Sequence, residues 1–375
     1  MSTQKDFYDK IKNDLSHKYV PSNPHDIKTK PIQSSTGIDM HIHGKNSTDG
    51  YMDFVDIINR SIQNNVEYIS ITDHNSFNAI KQIRQTEAVK NYPTYTEYDG
   101  VKIFTGTEIS CEMHLSRQDY FGVHLLCYGF DLNSDNIFLH MINQKDKDYT
   151  MARYYPLYYL TCKNKIYSTT FSEFKEFAKS QANKDVFTGN LNYDVTVNFY
   201  KWKGIDEDLI KADLQGFDFF NPMRDSFRLD VVDVINATHS AGGYCIVAHP
   251  VRSFEKHRSH TQKNNPPHAY YTTLMDKLLS VGCDGIEYSN NNDECSAYFN
   301  NLYSNLFITS CGSDTHYYGH NSINDIGKFN NNVSELPINV VNKLLELDKA
   351  KRDKEQTKRQ KQYNKIEYQS THINF

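Results

Sequence analysis

The sequence predicts an α/β fold in which strands alternate with helices. Short apolar segments of strand length recur along the chain, and amphipathic segments with helical periodicity separate most of them. Nearly every apolar strand also ends in a histidine, an aspartate or a glutamate. Alternating strands and helices are typical of a parallel sheet, and functional side chains at strand ends indicate a barrel-like or a doubly wound arrangement.

The first part of the predicted domain covers residues 37–132, after a helical N-terminal extension at residues 1–36. GIDMHIH predicts a strand, MDFVDIINRSIQNN an amphipathic helix and VEYISITDH a buried strand. SFNAIKQIRQTEAV predicts a second helix, and VKIFTGTEISCEM and FGVHLLCYGFD predict two further strands. Regular alternation therefore extends to residue 132.

The strand pattern fades in residues 133–229, which are polar, rich in tyrosine and predicted to form a mostly helical insertion. Alternation returns over residues 230–344, with the helices DVVDVINATHSAGG and YYTTLMDKLLSVGC and the strands YCIVAHP, DGIEYSN and LFITSCGSD. The segment SFEKHRSHTQKNNPPHAYY predicts a loop, in which His257 is either exposed or part of a mobile lid over the substrate. Residues 345–375 predict a charged helical tail, interpreted as a solvated helix rather than an RNA-contacting arm.

Composition excludes several classes of protein. The chain has 375 residues with a net charge of −5, which argues against a broadly basic nucleic-acid coat. No segment reaches the roughly 18 consecutive apolar residues of a membrane span, and the N-terminal segment has no apolar core for export. The seven cysteines form no C-x-x-C pair, which indicates reduced thiols and predicts a cytoplasmic location.

The first predicted strand ends in a D-x-H-x-H pattern formed by Asp39, His41 and His43. Because alternate residues of a strand point to one face, these three side chains can converge. Imidazole nitrogens and a carboxylate are suitable ligands for Zn²⁺, Mn²⁺ or Fe²⁺. An H-x-H pair alone is weak evidence, but the same residue types recur at the ends of the later strands.

The recurring residues make a set of candidate metal ligands. A single polar residue at a strand end is usually satisfied by hydrogen bonds, whereas a whole set in one alternating domain favours a metal centre. At about three ligands per ion, the set suffices for three divalent ions with positions open to water and substrate. Its members are His41, His43, Asp49, His74, Glu108, His124, His249, Asp314 and His316.

The series DMHIHGKNSTDG, ITDHN, GTEIS, HLLCYG, AHPVR, DGIEYSN and GSDTH resembles the polymerase and histidinol phosphatase (PHP) family of metal-dependent phosphoesterases. The resemblance covers residues 37–132 and 230–320, where order, spacing and ligand type agree. It implies a distorted (β/α)7 barrel with a trinuclear metal site at the C-terminal face of the strands. The bound ions would be divalent Mn, Zn or Fe.

The resemblance also implies how the ligands are shared among the three ions. The first ion would be held by His41, His43, Glu108 and Asp314. Glu108 would bridge to the second ion, which His124 and His249 would also bind. The third ion would be held by Asp49, His74 and His316.

A phosphoesterase mechanism follows from such a site. A hydroxide shared by two of the ions would attack phosphorus, with Asp314 as the catalytic residue that orients it. Arg252 is the candidate phosphate-binding fork, with a surface ion pair as the alternative. Lys45 is a second candidate phosphate contact, with a solvated loop lysine as the alternative. Glu287 ends a strand and is interpreted as a residue that lines the pocket or orients a neighbour.

The substrate class is the least determined part of this interpretation. Asp49, where some members of the family place a histidine, and the helical insertion indicate the branch that hydrolyses nucleotide phosphates and short RNA 5′ ends. The alternatives are a small-metabolite phosphatase of the histidinol-phosphate type and a non-catalytic PHP module. The expected partner is therefore a phosphorylated small molecule, a nucleotide or a short RNA, with no membrane.

Overall fold

The computed structural model describes the body of the predicted domain, parts of the insertion and the C-terminal helix. The predicted N-terminal extension at residues 1–36 lies outside the described residues, as does Asp49. The described residues are 37–47, 50, 52–116, 119–132, 136, 138–142, 157, 159–170, 172–174, 176–177, 193–215, 229–261, 267–288, 302–303, 308–316, 325–328 and 338–372.

The first of two mixed sheets is built from the N-terminal part of the domain. Its strands are β1 (Ile38–Ile42), β2 (Tyr68–Ile71), β3 (Lys90–Asn91), β4 (Tyr95–Tyr98) and β5 (Val101–Phe104). In the described residues they lie in the order β1–β2–β5–β4–β3. The β1–β2 and β2–β5 pairs are parallel, and β3–β4–β5 form an antiparallel branch.

The second sheet continues the chain and collects the C-terminal strands. Its strands are β6 (Gly106–His114), β7 (Tyr120–Tyr128), β8 (Leu229–Asp230), β9 (Tyr244–Val247), β10 (Gly285–Tyr288) and β11 (Ile308–Cys311). Among the described residues their order is β11–β10–β9–β7–β6–β8, and β7 runs antiparallel to both of its neighbours.

The two sheets contact each other at two edges, here called seams, and together form a ring. At one seam Ile42 bridges to Thr315, and the backbone N–H of His43 donates to the Thr315 carbonyl at 2.9 Å. At the other, His74 bridges to Glu108, while β5 runs on into β6 across a single residue. Within the described ranges, β1, β2, β5 with β6, β7, β9, β10 and β11 therefore encircle a common interior. This arrangement agrees with the predicted α/β fold of barrel type.

Separate apolar clusters fill the inside and cover the outside of the ring. The interior cluster includes Met40, Phe104, Leu126, Ile246 and Ile308, one from each of five strands. A larger cluster lies between the outer strand faces and the helices. Since alternate residues of a barrel strand point in and out, this division of the apolar side chains is what a barrel-like arrangement requires.

Helices follow the strands in the order that the sequence predicts. Several begin at an aspartate whose carboxylate accepts a backbone N–H of the first turn, as Asp53 and Asp230 do. None of the helices in the described ranges is both long enough and apolar enough to cross a lipid bilayer. The helices around the ring are α1 (Phe54–Gln63), α2 (Asn78–Arg84), α5 (Val231–Ser240), α6 (Pro250–Thr261) and α7 (Pro267–Ser280), with α3 (Tyr193–Trp202) and α4 (Glu207–Leu214) between α2 and α5 in the chain.

The described part of the insertion is helical and has a small core of its own. A 3-10 turn at Lys165–Tyr167 and the helices α3 and α4 supply it. Its buried members are mostly large side chains, among them Phe174, Phe199, Tyr200 and Leu214. The predicted helical content agrees with this segment, while the boundaries of the insertion at residues 133 and 229 stay predictions.

Three elements differ from the sequence prediction. The strands β3 and β4 were not predicted, although Asp99 and Gly100 carry the left-handed φ angles (48° and 83°) typical of a tight Asp-Gly hairpin. The predicted strand VKIFTGTEISCEM is divided at Thr105 into β5 and β6. The predicted loop after YCIVAHP is wrong, because α6 occupies it, starting at Pro250, a residue well suited to a first helical turn. The tail helix α8 (Val340–His372) begins before residue 345, because Val340 and Leu344 pack into the interior cluster.

Candidate metal centre

The ring brings the predicted ligands together at one end. His41 and His43 come from the end of β1, His74 follows β2, and His249 and Asp314 follow β9 and β11. Glu108 on β6 and His124 on β7 face them from the second sheet. All the predicted ligands within the described residues contact this cluster, and Asp49 lies outside those residues.

The first group matches the predicted ligand set of one ion. The Nε2 atoms of His41 and His43 lie 3.0 Å apart. Glu108 Oε2 lies 3.2 Å from the first of these nitrogens and 3.1 Å from the second. Asp314 Oδ1 lies 3.4 Å and 3.3 Å from the same two atoms. Four ligand atoms thus surround one point, with His41, His43 and Glu108 fully buried.

Glu108 links this group to a second one. Its Oε1 atom lies 2.7 Å from His124 Nδ1 and 3.0 Å from His249 Nε2, which is the predicted second ligand set. Its Oε2 atom also lies 3.2 Å from His74 Nδ1. His74, Glu108 and His124 therefore form a group able to hold an ion, and the Glu108 carboxylate stands at the centre of the cluster.

A third group contains His43, His74 and His316, whose ligand atoms lie within 4.8 Å of one another. The rings of His43 and His316 stack with centroids 4.3 Å apart, and those of His43 and His74 are 4.7 Å apart. His316 Nδ1 is 2.7 Å from the carbonyl oxygen of Asp314. The group shares His74 and His316 with the predicted third ligand set.

Side chains behind the cluster set the orientation of its histidines. Glu287 Oε1 is 2.9 Å from His41 Nδ1, which directs His41 Nε2 toward the cluster, and Glu287 Oε2 accepts the backbone N–H of His249 at 2.8 Å. Ser47 Oγ is 3.2 Å from His43 Nδ1 and accepts the backbone N–H of His74 at 3.1 Å. Such outer contacts fix the tautomer and ring orientation of a ligand histidine. The predicted orienting role of Glu287 agrees with this contact, whereas Ser47 was not predicted.

Asp39 does not join the cluster, although strand alternation predicted that it converges with His41 and His43. The register of β1 on β2 shifts between Asp39 and Ile42, so regular alternation is lost there. The Asp39 carboxylate instead accepts the backbone N–H groups of Ser313 at 3.0 Å and Gly327 at 2.9 Å. Burial raises its pKa to about 6, against the opposing effect of these hydrogen bonds. Asp39 therefore holds β1 to the segment after β11.

The backbone around the cluster is unusual. His249 and Asp314 have left-handed φ angles of 26° and 52°, and Asn75, which follows His74, has one of 50°. Such conformations are unfavourable for residues with a side chain and concentrate at functional sites. Gly312 approaches β1 so closely that an added Cβ would lie 2.1 Å from His41 Cβ, so only glycine fits there.

The electrostatics of the cluster favour bound cations. Burial lowers the pKa of His43, but its contacts with Asp314 and Glu108 outweigh burial and raise that pKa to about 10. Burial would raise the pKa of Glu108, yet the surrounding histidines hold it well below its usual range. His124 is the exception, because burial dominates and lowers its pKa to about 4, which keeps this imidazole neutral. The carboxylates thus stabilise positive charge among histidines that can act as ligands.

The donor set fits divalent metal ions. Glu108 Oε2 is buried and makes no hydrogen bond of acceptable geometry, even though three imidazole nitrogens surround it within 3.2 Å. Two imidazole Nε2 atoms 3.0 Å apart would also leave their lone pairs opposed without a cation or a proton between them. Histidine with carboxylate ligands suits Zn, Mn and Fe.

The two predicted phosphate contacts lie beside the cluster in different environments. Arg252 on α6 is 72% exposed, and its Nη1 lies 3.4 Å from Asp314 Oδ2. Lys45 donates to Asp53 Oδ2 at 2.6 Å, and Asp53 also caps α1. Arg252 is thus positioned at the mouth of the cluster, whereas Lys45 is held in an ion pair, and the phosphate-binding role of each stays a prediction.

Comparisons with known proteins give a match to one protein-family model and a similar fold among solved structures. Residues 39–217 match the model of the PHP domain. An amidohydrolase from Chromobacterium violaceum, solved with bound sulfate and no metal, superposes with a TM-score of 0.53 at 17% identity, over 83% of this chain and 96% of that one. A protein from Bifidobacterium adolescentis, assigned as a metal-dependent phosphoesterase, gives a TM-score of 0.49 at 14% identity over 83% and 96% of the two chains. No curated protein matches the sequence.

Proposed function

Since the chain carries a PHP domain at residues 39–217, we propose that the protein is a metal-dependent phosphoesterase. The observation that carries the proposal is the environment of Glu108, whose two buried oxygens contact imidazoles from β1, β7 and the segments after β2 and β9. A carboxylate with ligands on both oxygens is suited to bridge two metal ions. Such pairs of ions serve enzymes that displace one oxygen at phosphorus by another.

The proposed ligands divide among up to three divalent ions of Mn, Zn or Fe. The first ion is assigned to His41, His43, Glu108 and Asp314. The second is assigned to Glu108, His124 and His249. The third is assigned to Asp49, His74 and His316. The distance of 3.2 Å between His74 Nδ1 and Glu108 Oε2 supports a third ion close to the other two.

Bound ions would lower the pKa of water and neutralise the phosphate oxygens. Asp314 is the proposed catalytic residue, because its Oδ1 faces His41 and His43 while its Oδ2 faces the open side at Arg252. There it would orient the attacking water, and Arg252 would bind the phosphate with its planar fork. In the reaction an oxygen of water bonds to phosphorus, the ester bond breaks, and a proton from the water passes to the leaving oxygen.

The proposed substrates are phosphate esters of nucleotides or short RNA 5′ ends. This choice rests on the sequence resemblance, on Asp49 and on the helical insertion. The alternative is a small-metabolite phosphatase of the histidinol-phosphate type, for which so large an insertion is less expected. A non-catalytic module is less favoured, because a degenerate site would have lost ligands, whereas the described ones converge.

A direct assay tests the proposal. Purified protein with Mn²⁺ is offered 3′,5′-adenosine bisphosphate, a 5′-phosphorylated short RNA and histidinol phosphate, beside the double variant His41→Ala/His43→Ala. His239→Ala serves as the matched control, since His239 pairs with Asp284 on the far side of β9. We expect nucleotide turnover that the double variant abolishes and the control retains. Turnover of histidinol phosphate alone would favour the alternative, and turnover that survives in the double variant would contradict the proposed site.

A further inference from the structure

The β6–β7 hairpin has two faces of opposite character. The strands pair antiparallel from Gly106 with Tyr128 to His114 with Tyr120. One face is apolar and buried, and consists of Ile109, Cys111, Met113, Phe121, Val123 and Leu125. The other face is polar, and consists of Glu108, Ser110, Glu112, His114, Tyr120, Gly122 and His124. This second set is called the hairpin shelf.

The hairpin shelf begins in the metal cluster and leads outward. Glu108 is buried at the centre of the cluster, and His124 beside it has a side chain that is 34% exposed, more than the other described candidate ligands. Gly122 and Tyr120 follow and are exposed, Tyr120 by 40%. At ~3.4 Å per residue, Gly122 lies about 7 Å and Tyr120 about 14 Å from His124 along the strand. A group attached to a phosphate in the cluster would therefore extend over this surface.

Gly122 has no structural reason to lack a side chain. It lies inside a regular strand without a left-handed φ angle, and a Cβ added to it would meet no atom of the described residues within 4 Å. Glycine weakens a strand because it is flexible and packs nothing, and in a strand interior it often marks the close approach of a ligand. The open space over Gly122 lies next to His124, the partly exposed member of the cluster on the same strand.

A pair of aromatic side chains lies at the outer end of the open space over Gly122. His114 and Tyr120 are directly opposite in the hairpin, with ring centroids 5.5 Å apart. The turn beside them is anchored, since His257 on α6 contacts Asp119 at 3.2 Å and Tyr270 on α7 at 2.5 Å. An anchored aromatic pair loses little freedom on binding, which suits it for stacking on a planar ring.

We propose that the hairpin shelf is the subsite for the leaving group, and that this group is a single nucleoside. The inference rests on the proposed phosphoesterase function. The sugar lies beside His124, and the base lies over Gly122 against the rings of Tyr120 and His114. The Tyr120–His114 pair ends the shelf about 14 Å from His124, so the shelf accommodates a single nucleoside rather than a longer RNA chain.

Substrates that differ only in the base test the subsite. Adenosine 5′-monophosphate and ribose 5-phosphate are compared by kcat/KM with Mn²⁺ in the unaltered protein, Tyr120→Ala, Tyr120→Phe, Gly122→Ala and Gly122→Val. Valine favours strands, and a Cβ at this position meets no atom of the described residues within 4 Å, so the fold should persist, as thermal unfolding will verify. Ile62→Ala, which removes an exposed side chain on α1, is the control.

We expect the unaltered protein to prefer the nucleotide, and Tyr120→Ala to reduce this preference about 10-fold, the size of one base–aromatic stack. Tyr120→Phe retains the ring and should retain the preference, while Gly122→Val should reduce it more than Gly122→Ala. A preference that is the same in all variants, or absent from the unaltered protein, overturns the inference.

Binding of adenosine, which carries no phosphate, separates this inference from the proposed function. Saturation-transfer NMR should detect adenosine on the unaltered protein and a weaker signal on Tyr120→Ala. Adenosine binding without hydrolysis of any phosphate ester would support the subsite and contradict the phosphoesterase. Hydrolysis of both esters at equal rates without adenosine binding would support the phosphoesterase and contradict the subsite. Absence of both hydrolysis and adenosine binding would overturn both.

Discussion

Two fully buried carboxylates on strands of the ring have contrasting surroundings. Asp39 lies in a pocket, here called the Asp39 pocket, where the backbone N–H groups of Ser313 and Gly327 donate to it. Glu108 lies among imidazoles and has an oxygen without a hydrogen bond of acceptable geometry. The Asp39 carboxylate is satisfied by donors within the protein itself, whereas the surroundings of Glu108 are those of a group that could hold a metal ion. A carboxylate at the same burial therefore joins two strand ends in one place and lies among potential metal ligands in the other.

The largest expected effect comes from removing the charge at the centre of the cluster. Glu108→Gln keeps the shape of the side chain but deprives two proposed ions of their shared carboxylate. We expect kcat to fall about 1,000-fold, because the loss of several kcal/mol of charge stabilisation by the ions corresponds to such a factor. Metal analysis by mass spectrometry should show a parallel loss of bound metal.

Glu67→Gln is the matched control for this substitution, since Glu67 pairs with Lys102 at the surface. Its metal content and activity should equal those of the unaltered protein. Full metal content in Glu108→Gln would show that the cluster does not depend on this carboxylate.

Removing the carboxylate of the Asp39 pocket should act on stability instead. Asp39→Ala leaves the N–H groups of Ser313 and Gly327 buried without their acceptor, and we expect the free energy of unfolding to fall by about 3 kcal/mol. Urea denaturation measures this change, and Asp39→Asn, which keeps one acceptor oxygen, should lose less. The comparison between the two carboxylates fails if Asp39→Ala is as stable as the unaltered protein.

These contrasts show which features the sequence can predict. Most histidines of the cluster were identifiable because each ends or follows a recognisable apolar strand, and parallel strands end at one edge. Glu108 and His124 instead lie inside β6 and the antiparallel β7 and were identifiable by residue type. The role of Asp39 was not, because it depends on a register shift in β1 and on a donor at Gly327, 288 positions away in the chain. Residue types along a strand therefore predict which side chains come together. They do not predict which groups donate hydrogen bonds to a buried carboxylate in the folded protein.

The remaining differences have local causes. The Asp99-Gly100 turn carries a known hairpin signature, so the pairing of β4 with β5 is a local feature of the sequence. The helix α6 is strongly polar, with buried residues at Val251, Phe254 and His257 on one side, a pattern too short to stand out in the sequence. The role of Asp49 stays a prediction, because it lies outside the described residues.

A smaller effect should follow from changing a residue that orients a ligand. Glu287→Gln keeps the size of the side chain but removes the charge next to His41 Nδ1. Outer contacts of this kind contribute 10- to 100-fold to metal affinity, and we expect a weakening of about 30-fold. Titration with Mn²⁺ measures the affinity, and Glu346→Gln on the exposed side of α8 is the control. An unchanged affinity would mean that His41 is oriented by packing alone.

The smallest expected effect comes from removing a neutral hydrogen bond at Ser47, for comparison with the charged contact at Glu287. Ser47→Ala removes the hydroxyl that contacts His43 Nδ1 and the backbone N–H of His74 but leaves both rings packed in the cluster. A hydrogen bond of this kind contributes about 1 kcal/mol, so we expect Mn²⁺ affinity to fall about 5-fold. Ser47→Thr, which retains the hydroxyl, should recover most of the loss. If Ser47→Ala instead weakened binding as much as Glu287→Gln, the hydroxyl would determine histidine orientation as strongly as the carboxylate charge, and the expected difference between a neutral and a charged contact would be contradicted.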